Sequence, residues 1–209
     1  MELTARTMMS LDGVTQSPGA PEEDPTGGFE LGGWAMPYFD DEGMRSVHEN
    51  FAQADAFLLG RRTYEIFAGY WPTQGDDGPI AAALNRLPKH VASSALRQGD
   101  LAWEGSSLLE GDTIEAVTAL KRKPGRELQV HGSVKLLQSL LTAGLVDRLH
   151  LVVIPVALGS GARLFDGKVP PTAFRLAEAT TTPSGAQLLT YAPAGPVVPG
   201  HFSELGDGR

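Results

Sequence analysis

From Ala56 to Leu141 the sequence alternates short apolar runs with stretches of helical periodicity, and from Asp147 onward it reads as strands alone. AFLLG precedes a helical pattern from about Arg61 to Ala68 and a second over IAAALNRL, with Pro88 before the next strand. KHVASS precedes TIEAVTALKRK, and ELQVHG precedes SVKLLQSLL, closed by Gly144. Short apolar strands separated by amphipathic helices require crossover connections, so they predict an α/β fold with a mainly parallel central sheet covered by helices. The later segments DRLHLVVIPVAL, FRLAEATTT and AQLLTYA, the last two joined by PSG, predict an antiparallel C-terminal hairpin at one edge.

Upstream, Leu3, Ala5, Thr7 and Met9 alternate with more polar neighbours in a first strand that ends at the SLDG turn. Residues Gln16 to Gly33, rich in Gly, Pro and acid, predict a long loop of the kind that carries function. Asp40 or Asp41 is suited to cap a helix in which Met44, Val47, His48 and Phe51 share a face. A chain of 209 residues supports one domain, assigned to residues 1–192, with a Pro/Gly-rich tail over 193–209.

The formal charge of -8 repels nucleic-acid phosphates, so no nucleic-acid partner is expected. The sequence has no cysteine, which excludes disulfides and thiolate metal sites and fits a reducing compartment. MELTARTMMS lacks the features of a signal peptide, and the run LHLVVIPVAL is too short to span a bilayer. A soluble, cytoplasmic protein without a membrane partner is expected. The five histidines show no close ligand spacing, so no metal is expected.

Three predicted strand-to-helix junctions carry small or cationic residues: Gly60, Arg61, Arg62 and Thr63; Ser93 and Ser94; and His131, Gly132 and Ser133. In an open α/β sheet, ligands gather at the carboxyl ends of parallel strands, where helix N termini offer unpaired N–H groups. Arginine adds a bidentate fork for phosphate, and a ligand with phosphates at two places, such as a dinucleotide, would use all three junctions. The plainer reading makes the arginines solvated helix starts, Ser93 and Ser94 turn hydroxyls, and Ser133 a helix cap. GSGARL, Gly159 to Leu164, lacks the third glycine of a dinucleotide fingerprint and reads as a turn.

In their order, MSLDG, LLGRRTYE, VASSAL, VHGSVKLLQSLL and LVDRLHLVVIPVALGSGARLF resemble the dihydrofolate reductase-like superfamily. The resemblance is nearest to stand-alone relatives of the C-terminal reductase domain of the bifunctional riboflavin-biosynthesis enzyme, and it spans roughly residues 3–192. It implies NADPH as hydride donor, a helix-covered sheet and frequent homodimers. By position it implies that Arg61, Ser93 and Ser94 hold the adenosine 2'-phosphate and that Thr63 meets the pyrophosphate. Gly132 and Ser133 fall where the family has a glycine pair, often joined by a cis peptide. The implied cofactor set is Gly60, Arg61, Arg62, Thr63, Ser93, Ser94, Gly132, Ser133 and Val134.

On the substrate side, Asp40, Asp41 and Glu42 compete for the place of the acid that promotes protonation, against their plain reading as a helix cap and acidic first turn. Trp34 and Tyr38 lie where the resemblance places a loop over the nicotinamide, and Phe67 and Trp71 are spaced to line a pocket. Asp12 either orders the first turn or touches ligand. The expectation is an NADPH-dependent reductase acting on a small planar C=N or C=O substrate, pterin- or pyrimidine-like. The alternatives are a dihydrofolate reductase, a riboflavin-pathway pyrimidine reductase or a non-catalytic NADPH sensor. LHLVVIPVAL is apolar on both faces, which predicts a homodimer burying residues near Leu151, Val153 and Leu158.

Overall fold

In the computed structural model, which describes residues 1–201, eight strands form one sheet in the order β4-β3-β2-β5-β1-β6-β8-β7. The strands are β1 (Glu2–Ser10), β2 (Ala54–Gly60), β3 (Lys89–Ala92), β4 (Ser106–Leu108), β5 (Glu127–Val130), β6 (Arg148–Ile154), β7 (Phe174–Thr181) and β8 (Gln187–Pro193). The first six run parallel, and β8 lies antiparallel to both β6 and β7. The α/β architecture and the closing hairpin are as expected. β6 lies inside the sheet rather than at its edge, and it stops at Ile154 because Pro155 has no N–H for the ladder.

The helices are α1 (Asp41–Phe51), α2 (Arg61–Tyr70), α3 (Pro79–Arg86), α4 (Thr113–Lys121) and α5 (Val134–Thr142). Helices α4 and α5 bury Val117, Leu120, Leu137 and Leu140 against Leu3, Ala5, Leu58, Leu128, Val130 and Leu149. On the opposite face Phe51 of α1, Tyr64 of α2 and Leu84 of α3 pack against Phe57, Leu59 and Val91. Strand β2 is therefore covered on both sides, which is why FLL reads as a continuous apolar run rather than an alternation. Each of these three side chains is fully buried and contributes roughly 1.5–3 kcal/mol by leaving water.

Lys89 is fully buried at the start of β3. Its Nζ donates to the carbonyls of Leu84 and Asn85 at the end of α3 and lies 4.5 Å from the Trp103 ring centroid. The cation thus satisfies carbonyls that the helix end leaves open.

The expected tail starts too early. Pro193 ends β8, and Ala194 and Gly195 still exchange backbone hydrogen bonds with Ala173. Residues 202–209 of the assignment lie outside the described residues. No helix among the described residues is long and apolar enough to cross a membrane.

Candidate functional site

A cavity of about 1270 Å³ opens over the carboxyl ends of the central strands. All three junctions reach it: Gly60, Arg61, Arg62 and Thr63 after β2, Ser93 and Ser94 after β3, and Gly132, Ser133 and Val134 after β5. Phe67 and Trp71 also line it, together with Met36, Phe39, Met44, Val47 and Phe51.

Two of the helices that begin at this cavity, α2 and α5, start at Gly60 and Ser133 without any side-chain cap. By contrast, Asp40 caps α1 through Gly43 N, and Asp112 caps α4 through Ile114 N and Glu115 N. The first-turn N–H groups of α2 and α5 therefore keep their capacity for an anion. The junctions are also tightly packed together. A Cβ on Gly60 would stand 2.8 Å from Ser133 N, and one on Gly132, at φ +136°, would stand 2.6 Å from Thr63 Oγ1. Gly60 N donates to Gly132 O at 3.0 Å, and the Gly132–Ser133 peptide is cis.

The arginines are exposed and each has an acidic neighbour. Arg61 pairs with Glu65 at 3.1 Å, one helical turn on. Arg62 pairs with Asp24 at 2.5 Å and also contacts Thr26 Oγ1, so it ties the 16–33 loop to α2. Burial pushes the Asp24 carboxyl up, but hydrogen bonds from Thr26 and Arg62 hold it below its ordinary value. Gln16, buried at the start of this loop, donates to the carbonyls of Asp24 and Thr26 and accepts from Ala162 N. Ser93 follows the plainer reading in part: its Oγ accepts from Ala95 N and Leu96 N, while Ser94 is exposed.

Several expected substrate-side residues stand away from the cavity. Trp34 is buried with Val14, Phe29, Ala35 and Ile154, and its Nε1 donates to Gln16 O. Tyr38 packs on the same cluster, where its carbonyl accepts from Ser184 Oγ. Asp12 accepts from Ser10 Oγ, Leu158 N, Gly159 N and Arg163, so it orders the turn. Asp40 is occupied as the α1 cap and as acceptor for Ser184 N, and those bonds hold its carboxyl down to about 2. Asp41 is exposed in the first turn of α1 and does not line the cavity. Neither Asp40 nor Asp41 is among the residues that line the cavity.

A polar group that sequence reasoning missed forms part of the cavity floor. Arg6 is 8% exposed, and its Nη2 pairs with Glu127 Oε2 at 2.9 Å. The same carboxylate oxygen accepts from Thr4 Oγ1 and Gln129 Nε2. His131 Nε2 lies 3.1 Å from Gln129 Oε1, and its ring stacks on Phe51 at 4.8 Å. His150, opposite Arg6 in the ladder, contacts Thr190 Oγ1 through Nδ1.

Burial, assisted by the charge of Arg6, lowers His131 to about 3 and His150 to about 4. Both rings are therefore neutral near neutral pH. Burial pushes the Glu127 carboxyl up, but hydrogen bonds from Gln129, Arg6 and Thr4 and the charge of Arg6 hold it below its ordinary value. The signal was present as period two: Thr4 and Arg6 share one face of β1, and Glu127, Gln129 and His131 follow the same alternation through β5. Among the described residues no group of three or more His, Cys, Asp or Glu is placed to hold a metal ion.

Comparison with known proteins agrees with this layout. The protein YyaP of Bacillus subtilis (strain 168) is 25% identical over 142 residues, which cover 66% of this chain and 74% of YyaP. A crystal structure of a protein assigned to riboflavin biosynthesis from Shewanella sp. PV-4 superposes with a TM-score of 0.65 at 20% identity, covering 93% of this chain and 99% of that one. Dihydrofolate reductase from Enterococcus faecalis, complexed with NADP(H), superposes with a TM-score of 0.57 at 16% identity, covering 92% and 96%. These two structures share the fold. The profile of the RibD C-terminal domain family matches residues 2–188, nearly all of the described chain, and the protein belongs to that family.

Proposed function

We propose that this protein is an NADPH-dependent reductase that acts on a small planar substrate with a polarised C=N or C=O bond. The observation that carries the reading is the pair of uncapped helix N termini, α2 and α5, meeting at the Gly60–Gly132 contact beside Arg61, Arg62 and Thr63. The family and the dihydrofolate reductase fold support a reductase, and the NADP(H) bound to the Enterococcus faecalis protein supports the cofactor.

The residues present fit such a cofactor. The glycines at positions 60 and 132 let the two junctions pack directly against each other, where a Cβ would collide with Ser133 or Thr63, and the open N–H groups of the helices that start there suit phosphate. Arg61 with Ser93 and Ser94 would hold a 2'-phosphate, while Thr63, Ser133 and Val134 would line the pyrophosphate path. Bound NADPH supplies a hydride for the electrophilic carbon of the substrate. The protein orients the two reactants and excludes water, for which the apolar walls Met44, Val47, Phe51, Phe67 and Trp71 are suited.

Calorimetric titration with NADPH and NADH tests the cofactor assignment. Two or three charge-assisted contacts to the 2'-phosphate would favour NADPH by about a hundredfold or more, and Arg61→Ala would remove most of that preference. Equal affinity for the two would refute it. Loss of nicotinamide absorbance with pterins, quinones or pyrimidine aminoketones would separate turnover from simple binding.

A further inference from the structure

The cavity is chemically divided, and α1 shows the division most plainly. This helix carries Asp41, Glu42, Arg45, His48 and Glu49, yet none of them lines the cavity; Met44, Val47 and Phe51 do. Asn50, uncharged, is the one polar residue that α1 contributes. Phe67, Trp71 and Ile80 continue the apolar wall through α2, the turn that follows it and α3. The wall is held in place: the Phe67 and Trp71 rings meet edge to face at 6.2 Å, and Asn85 Nδ2 donates to Trp71 O at 3.1 Å.

The charged residues that reach the cavity lie elsewhere, and most already have partners. Arg6 on β1 pairs with Glu127, Arg61 with Glu65 and Arg62 with Asp24. Glu23 accepts from Gly19 N and Ala20 N, and Asp112 caps α4. Lys135 stands in the first turn of α5, beside the junction of β5. A phosphate or carboxylate laid against the α1–α3 wall would give up water for apolar side chains with no counter-charge among them. An uncharged flat ring would bury apolar surface on apolar surface instead.

The same wall supplies no acid. Reduction of an isolated C=N bond or ketone is helped by a proton donor placed at the heteroatom as the hydride arrives. A quinone does not depend on one. It takes the hydride with its electron pair, NADPH is oxidised to NADP+, and the quinone becomes a hydroquinone monoanion whose ring has turned aromatic. The anion then takes its proton from water.

We propose that the substrate is an uncharged aromatic quinone whose ring lies against Met44, Val47, Phe51, Phe67 and Trp71, and that this wall rejects compounds bearing a phosphate or carboxylate. The proposal rests on the reductase reading for the hydride and narrows its substrate class.

Calorimetric titration with menadione and with naphthoquinone sulfonate, which share the quinone ring system and differ in charge, tests it. The absence of cysteine removes thiol addition to the quinone as a competing reaction. The wild type should bind menadione at least about tenfold more tightly than the sulfonate. Val47→Glu, which sets a carboxylate in the wall, should weaken menadione binding by about tenfold or more while NADPH affinity stays unchanged. Under anaerobic conditions, NADPH consumed and hydroquinone formed should be equimolar.

No binding of menadione, equal or tighter binding of the sulfonate, or undiminished menadione binding by Val47→Glu would overturn the proposal. Should Val47→Glu not fold, Met44→Glu, at a position 38% exposed, serves instead and is read in the same way. A separate NADPH titration distinguishes this proposal from the reading beneath it. NADPH that binds and is oxidised by a pterin or a phosphorylated pyrimidine, but not by menadione, would keep the reductase and overturn the quinone. Failure of NADPH to bind would overturn both.

Discussion

Thr63 and Gly132 touch across the junction of β2 and β5, so closely that a Cβ on the glycine would lie 2.6 Å from Thr63 Oγ1. Gly132 also has φ +136°, a region L side chains rarely adopt. Gly132→Val should therefore weaken NADPH binding and lower stability together, by about 2 kcal/mol or more, or roughly 4–8 °C in melting temperature. Thermal unfolding followed by calorimetry on the folded fraction checks this. A variant that melts normally and binds normally would mean that the junction is not the cofactor path.

Arg62 cannot hold the loop and a phosphate with the same donors. Its pairing with Asp24 is exposed, and exposed pairs contribute about 0.2–1 kcal/mol. Asp24→Asn should therefore tighten NADPH binding by up to about fivefold and speed amide exchange over residues 16–33. Slower exchange, or weaker NADPH binding with an intact fold, would show that Arg62 serves the loop alone.

The sequence carried the alternation of strands and helices because each central strand is covered on both faces, and apolar runs such as FLL in β2 report that directly. β4 went unread: three half-buried residues, Ser106–Leu108, are too few to show period two. The three junctions that reach the cavity were legible because glycine, arginine and serine cluster at strand ends. The rest of the cavity lining was not. Asp40 and Asp12 look alike in sequence to catalytic acids, and only their partners reveal a cap and a turn lock. Arg6 is not conspicuous in sequence because a charged residue alternating with apolar ones ordinarily marks a solvated face, whereas here it is buried at the cavity wall and paired with Glu127.

The buried histidines make stability depend on pH. An unfolded chain protonates them near pH 6.5, but the fold lowers His150 to about 4 and His131 to about 3. Below about pH 6.5 the unfolded state thus binds more protons than the folded one, so stability falls as pH drops towards 4. Melting temperature should be nearly level just above neutrality and decline below pH 6.5. His150→Gln should reduce the slope in that window. An unchanged slope in the variant would show that this ring does not carry the effect.

A homodimer remains our expectation, with its contact moved outward. Leu151 is already buried within the chain, whereas Val153 and Leu158 keep partial exposure. The exposed surface lies on the outermost strand, where every residue of β7 after Phe174 is exposed and Leu176 is 49% accessible. Light scattering at micromolar concentration should give twice the chain mass, and Leu176→Lys should shift the particle towards the monomer. A 22.2 kDa particle for the wild type would refute the dimer.

Asp12 separates the structural reading of the first turn from the ligand reading. Its Oδ1 accepts from Ser10 Oγ at 2.7 Å and Leu158 N at 3.0 Å, and its Oδ2 from Gly159 N at 2.9 Å and Arg163 Nη2 at 3.1 Å. These bonds, that from Ser10 foremost, hold the carboxyl well below the usual carboxylate range and tie the end of β1 to the segment that follows β6. Asp12→Asn keeps the size but turns one acceptor into a donor facing Gly159 N and Arg163, so at least two bonds are replaced by opposed N–H groups. Melting temperature should fall by several degrees, with NADPH affinity of the folded protein unchanged. The opposite pattern, a normal melting temperature with ligand binding lost, would return Asp12 to the binding site.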